Sequence, residues 1–180
     1  NRSWTHRLDY LNKYFDIEQP KVICTVRDLT EILASFITMI RRSKQVNFID
    51  RQLEKQRIPV SDFTRCQLIA ADGPLGRGYT GLQKAFQSGF GKYIHLVEYR
   101  DLVKDPENTL KGIYNFLGED YFEHSFDNVK NIHREDDGTI YGLPDMHDVR
   151  SVVKSTAKKP EDVLPAQVIK DVTGLEFWRK

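Results

Sequence analysis

The sequence predicts an α/β fold with a parallel sheet. Val22–Val26 is a short, β-branched apolar run of the kind that forms a buried strand. From Leu29 the spacing changes, and Ile32, Leu33, Phe36, Ile37 and Ile40 recur every three or four residues, as on an amphipathic helix. A second apolar run, Lys92–Glu98, leads after a short turn into another amphipathic segment ending at Leu117. Two strand–turn–helix units in succession imply parallel strands joined by crossovers.

Taken in order, residues 5–15 are expected to be helical. Leu8, Leu11 and Phe15 share one face there, and Thr5 is the expected cap. Residues 16–20 make the turn into the first strand. The helix from Leu29 is expected to continue, or restart, through Phe48, Ile49 and Leu53 to about Lys55. Asp62–Ile69 reads as a short helix. Asp72–Gly81 carries four glycines, lacks the Gly-Lys-Ser/Thr ending of a P-loop, and is expected to be a mobile surface loop, with substrate gating as the functional alternative. Leu82–Phe90 reads as a helix stopped by Gly89 and Gly91.

After the second strand, Asp105 is the expected cap of a helix with Pro106 in its first turn and Gly118 at its end. The chain then becomes polar and aromatic, with a turn at Tyr141–Pro144. His147–Ser155 carries bases and hydroxyls (Arg150, Ser151, Lys154, Ser155), followed by Lys158 and Lys159. Such a segment suits folding over an anionic ligand. Pro165 opens a last helix through Val168, Ile169 and Val172, ending near Phe177–Trp178.

Composition bounds the function. The 180 residues suit one domain, spanning 1–180, with room for a sizeable core. A formal net charge of +1 excludes a basic nucleic-acid binder and an acidic tail protein. No run reaches the ~20 apolar residues needed to span a bilayer. With no signal-peptide pattern and only Cys24 and Cys66, both read as free thiols, the expected compartment is the cytoplasm. His6, His95, His124, His133 and His147 show no metal-ligand spacing, so no metal is expected. No Gly-x-Ser-x-Gly nucleophile elbow is present. The chain opens without Met at Asn1-Arg2-Ser3-Trp4, so residues are expected upstream.

Arg27 stands where the first strand ends and the next helix begins. Ligands of open α/β sheets bind outside the carboxyl ends of strands, and a helix N-terminus favours anions. A guanidinium adds a planar charged fork suited to phosphate. Ser35 follows eight residues later on an otherwise apolar helix. The plainer reading pairs Arg27 with Asp28 or Glu31 and makes Ser35 a small packing residue.

Lys21-Val-Ile-Cys-Thr-Val-Arg-Asp-Leu-Thr-Glu-Ile-Leu-Ala-Ser35 resembles the 3′-phosphate-binding segment of sulfotransferases that use 3′-phosphoadenosine 5′-phosphosulfate (PAPS). In that family a strand ends in Arg and a Ser follows eight residues later, as Arg27 and Ser35 do. His95-Leu-Val-Glu-Tyr-Arg-Asp-Leu through Asn115-Phe-Leu-Gly118 resembles the family's later Tyr-Glu-Asp-Leu…Pro…Phe-Leu-Gly block. Tyr99 matches the tyrosine near the adenine, and Arg100 replaces the usual Glu. The resemblance covers residues 1–120 well and the rest loosely. By position, Arg150, Ser151, Lys154 and Ser155 correspond to the C-terminal basic loop that closes the nucleotide site.

The resemblance implies a three-layer, P-loop-like sulfotransferase fold. The family's Lys/Arg-Ser-Gly-Thr-Thr phosphosulfate loop has no counterpart here, so the fold is expected to be N-terminally truncated. The implied reaction is in-line sulfuryl transfer from PAPS to a hydroxyl or amine of a small-molecule, glycan or peptide acceptor, with 3′,5′-ADP (PAP) leaving and no metal required. The family's base is His in some branches and Glu in others; His6 is the candidate here. The segments 56–81 and 119–147 are expected to shape the acceptor pocket. Two rivals are a P-loop-type nucleotide kinase fragment and a non-catalytic nucleotide- or partner-binding module on the same fold.

Overall fold

The computed structural model describes residues 4–16, 18–132 and 135–179. A 3₁₀ turn at Trp4–His6 precedes helix α1 (Leu8–Phe15), strand β1 (Val22–Val26), α2 (Leu29–Arg42), α3 (Phe48–Lys55), α4 (Asp62–Ala70) and α5 (Pro74–Gln87). A 3₁₀ turn at Phe90–Tyr93 leads into β2 (Ile94–Glu98), α6 (Tyr99–Lys104), α7 (Pro106–Leu117), α8 (Asp137–Tyr141) and α9 (Ala166–Val172). Short 3₁₀ turns lie at Pro160–Asp162 and Phe177–Arg179. This is an α/β fold.

The chain forms two compact units. One contains Asn1–Arg27, Arg77–Val129 and Ser151–Ser155; the other contains Asp28–Gly76, Lys130–Arg150 and Thr156–Lys180.

The first unit is built on the sheet. β1 and β2 pair in parallel, from Val22 opposite Ile94 to Val26 opposite Glu98. Val26, Ile94 and Val97 are buried in the sheet, with Leu8, Leu82 and Ala85 forming the rest of the apolar interior. β1 is less buried than its composition suggests: Val26 is its one buried residue, and Ile23 is 42% exposed. Apolar β-branched residues report a pleated conformation, and only tertiary packing decides whether both faces are covered. Thr5 does not cap α1. Arg7 occupies the cap position without a side-chain hydrogen bond, and Thr5 lies in the 3₁₀ turn before it. Leu8 is buried on α1, Leu11 half-buried and Phe15 exposed.

In α7 the expected signals act as read. The Asp105 side chain accepts from the Asn108 N–H, Pro106 fills the first position, and Gly118 takes the left-handed conformation at φ 76°. The Lys21 ammonium donates to the Leu117 carbonyl, putting a cation on an otherwise orphaned C-terminal acceptor.

The second unit is a helical cluster. Leu29, Leu33, Ala34, Ile37 and Ile40 of α2 are buried, with Ile49 and Leu53 of α3, Cys66 and Ile69 of α4, Leu143, Leu164, and Val168 and Val172 of α9. α2 is capped by Asp28, whose carboxylate accepts from the Thr30 and Glu31 N–H groups and the Thr30 hydroxyl. α2 ends at Ser43, and α3 restarts after Asn47, whose buried amide oxygen accepts from the Ile49 and Asp50 N–H groups. The Arg65 guanidinium grips both oxygens of Asp50, at 2.7 and 2.8 Å, and reaches Asp62 at 2.9 Å. Arg41 donates to Asp62 and to the Val163 carbonyl.

The glycine-rich stretch is not a loop. α5 begins at Pro74, and Gly76, Gly78 and Gly81 lie within it. A Cβ on Gly73 would stand 2.6 Å from the Ile69 Cα, and one on Gly76 would overlap the carbonyls of Ala70 and Ala71. Those two glycines therefore serve a tight α4–α5 junction, and Pro74 starts the helix where its missing N–H costs nothing. Tyr99–Lys104, read as part of a turn, forms the short helix α6.

Candidate functional site

The residue after each strand belongs to the candidate site. Val26 and Glu98 are partners at the carboxyl ends of β1 and β2, so Arg27 and Tyr99 follow side by side. The Arg27 guanidinium lies over the Tyr99 ring, 4.0 Å from its centroid. A cation at this distance from a ring face is attracted by the ring's quadrupole, and the contact fixes the plane of the fork. Both residues are half-buried. The parallel register thus brings together two residues that the sequence separates widely, at the end of the sheet where α/β folds take their ligands.

The other nucleotide candidates stand as follows. Ser35 is exposed on α2, in the second unit. Arg150 is exposed in the second unit; Ser151 and Lys154 are exposed in the first. The segment bearing Ser151 is tied by backbone bonds: the Val129 N–H donates to the Ser151 carbonyl at 3.0 Å, and the Val153 N–H to the Phe126 carbonyl at 2.9 Å.

His6 lines a cleft of about 160 Å³ with Thr5, Leu8, Asp9, Lys84, Ala85, Ser88 and Phe90. All of these belong to the first unit. Its Nε2 lies 2.8 Å from the Arg77 carbonyl on α5. Sequence reading missed Asp9, Lys84 and Ser88 as cleft residues. Lys84 and Ser88 are four apart within the expected Leu82–Phe90 helix, so they share a face, but nothing in that spacing says that the His6 turn packs against it.

A second cluster has no signal in histidine spacing. Glu135, Asp137 and His147 each bring one oxygen or nitrogen within 4.8 Å of the others. Asp137 is buried and already engaged: its carboxylate accepts from the His147 N–H and the His147 Nδ1, both at 2.7 Å. Burial pushes the Asp137 carboxyl up, but these two bonds and the imidazole charge hold it below its ordinary range. The cluster ties the 144–150 segment to α8.

Other groups are also held away from their ordinary values, among them Asp62, where burial raises the carboxyl but the bonds from Arg41 and Arg65 bring it below the usual range. Burial raises the Asp28 carboxyl, but its Thr30 and Glu31 bonds and Arg179 bring it below the usual range. Burial pushes the Cys66 thiol up to about 12, with the nearby Asp62 charge adding to it. No helix among the described residues is long and apolar enough to cross a membrane.

Comparison with known proteins gives one match. No curated protein and no solved structure matches the chain. The profile described as the sulfotransferase family matches residues 1–123, which include α1, both strands, the Arg27–Tyr99 pair and the His6 cleft. On the strength of that match, over more than half its length, the chain belongs to the sulfotransferase family.

Proposed function

We propose that the protein transfers a sulfuryl group from PAPS to a hydroxyl or amine acceptor. The observation that carries this reading is the Arg27–Tyr99 stack at the carboxyl ends of two adjacent parallel strands, within the matched region. PAPS supplies a sulfuryl group on a good leaving group. In this reading Arg27 binds the 3′-phosphate through its planar fork, steadied by Tyr99. Ser151 and Lys154, in the same unit, supply further donors to the nucleotide. The acceptor, a small molecule, glycan or peptide, enters the cleft lined by His6.

His6 takes the acceptor's proton as the acceptor oxygen or nitrogen attacks sulfur. The new bond to sulfur forms as the S–O bond to the nucleotide 5′-phosphate breaks, and the electron pair stays on PAP. Catalysis rests on positioning and on cationic groups around the departing phosphate, so no metal is required.

Calorimetric titration with PAP tests the reading, alongside the Arg27→Ala variant. Binding with a Kd on the order of micromolar, weakened by the substitution, is the expected result. Sulfuryl transfer from PAPS that survives a chelator excludes phosphoryl transfer through Mg²⁺. A chain that binds no PAP, or that needs Mg²⁺ and ATP to turn over, overturns the proposal.

A further inference from the structure

His6 offers two ring nitrogens, and the structure separates their roles. A carbonyl oxygen has no hydrogen to give, so at 2.8 Å from the Arg77 carbonyl the His6 Nε2 must carry the hydrogen and donate it. In the neutral ring the lone pair is then left on Nδ1. What permits this bond is a missing side chain. Arg77 and Gly81 are four apart on α5, and a helical Cβ leans back over the turn before it. At Gly81 that space is taken by the 3₁₀ turn bearing His6. A Cβ there would stand 2.5 Å from the Thr5 Oγ1 and 2.7 Å from both Cδ2 and Nε2 of His6. These are shorter than any ordinary carbon contact, and they fall on the edge of the imidazole that meets the Arg77 carbonyl.

A glycine inside a helix gives up about 1 kcal/mol against alanine. Gly81 is buried and its φ is not left-handed, so no backbone conformation demands glycine there. The close approach of Thr5 and His6 does. We propose that Gly81 is a positioning residue: its bare backbone admits the His6 edge to the Arg77 carbonyl, fixes the Nε2–H tautomer, and reserves Nδ1 as the atom that takes the acceptor's proton. The catalytic half of this statement rests on the sulfuryl-transfer reading; the tautomer does not. In the step, the acceptor O–H or N–H proton passes to Nδ1, the acceptor bonds to sulfur, and the S–O bond to PAP breaks with its electrons on the nucleotide.

The test is the ¹⁵N–¹H spectrum of the histidine ring nitrogens in the whole chain, with His6 assigned by its loss in His6→Gln, recorded where the ring is neutral and without nucleotide. The expected wild-type result is a protonated Nε2 and a bare Nδ1. In Gly81→Ala, a better helix former, the His6 signals should change to a mixture of tautomers. Transfer from PAPS should fall about 10²-fold, as expected for a reacting group moved by about 1 Å, with the KM for PAPS little changed. His6→Gln, which keeps an amide donor for the Arg77 carbonyl but has no Nδ1, should lose about 10²- to 10⁴-fold in transfer while keeping the wild-type Tm. A proton on Nδ1 in the wild type overturns the proposal. So does a Gly81→Ala spectrum identical to it; if Gly81→Ala does not fold, the wild-type spectrum decides alone. A bare Nδ1 in a chain that neither binds PAP nor transfers sulfate would instead sink the sulfuryl-transfer reading and leave the tautomer standing.

Discussion

Replacing Tyr99 with leucine removes the ring on which the Arg27 guanidinium rests, 4.0 Å from the centroid. Cation–π contacts contribute about 0.5–1 kcal/mol at exposed sites and about 2 kcal/mol or more when dry. The pair is half-buried, so a loss near 1 kcal/mol is expected, or roughly fivefold in the Kd for PAP. Tyr99→Phe keeps the ring and should stay within about twofold of wild type. Arg27→Ala removes a charged donor and should cost roughly 1.5–3 kcal/mol, about 10- to 150-fold. The assay is calorimetric titration of each variant, and of the Arg27→Ala/Tyr99→Leu double variant, with PAP and with adenosine 5′-phosphate. Adenosine 5′-phosphate lacks the 3′-phosphate, so its affinity should be insensitive to both substitutions. Because Tyr99 acts through Arg27, the double variant should bind PAP no worse than Arg27→Ala alone. The reasoning is refuted if Tyr99→Leu weakens both nucleotides equally, or if it adds its full fivefold to the double variant. Tyr99 would then touch the base directly.

Three other outcomes follow from packing and charge. Leu33 is fully buried on α2, and Leu33→Ala should lower unfolding stability by about 2–5 kcal/mol in a urea titration; a loss under 1 kcal/mol would show that the helical cluster closes over the gap. With its thiol near 12, Cys66 carries only ~10⁻⁴ thiolate at pH 8, so a thiol reagent should modify half-buried Cys24 first and leave Cys66 untouched until the protein unfolds. Asp28, Asp62 and Asp137 all titrate below their unfolded value of about 3.9, so each contributes stability that is complete above about pH 4 and is lost as pH falls through the lower folded values. Tm should hold from pH 7 to 5 and then drop toward pH 2; a flat profile in acid would contradict these assignments.

Local chemistry made much of this fold readable. β1 and β2 announce themselves by β-branched runs, α2 by its 3.6-residue stripe behind Asp28, and α7 by Asp105, Pro106 and Gly118, because each signal acts over a few residues. Arg27 was legible as a candidate from its place at a strand end, and Tyr99 as one through the family resemblance. The stack between them depends on strand register, which no local spacing encodes. The glycines of α5 misled because glycine reports either a flexible backbone or a crowded one. At Gly73 and Gly76 the crowding comes from the backbone of Leu68–Ala71 folding back at the α4–α5 junction, and at Gly81 from Thr5 and His6, none of which the one-dimensional pattern shows. The Glu135–Asp137–His147 cluster escaped for the same reason: His147 meets its partners only after the chain turns back on itself.

The parallel register also sets a timetable. Val22 pairs with Ile94, so β1 must wait for a partner 94 − 22 = 72 residues further along. At a ribosomal rate of about 5–20 residues per second, that interval is roughly 4 to 14 s. Helices α2 to α4 are made within it, although their cluster is completed only when α9 follows; the sheet, too, must close a long loop before it pairs. During the wait β1 is an unpaired apolar ribbon, and Ile23 remains 42% exposed even after pairing. Substitutions that delay β2, such as a proline within Ile94–Glu98, should therefore lower soluble yield more than their effect on final stability predicts.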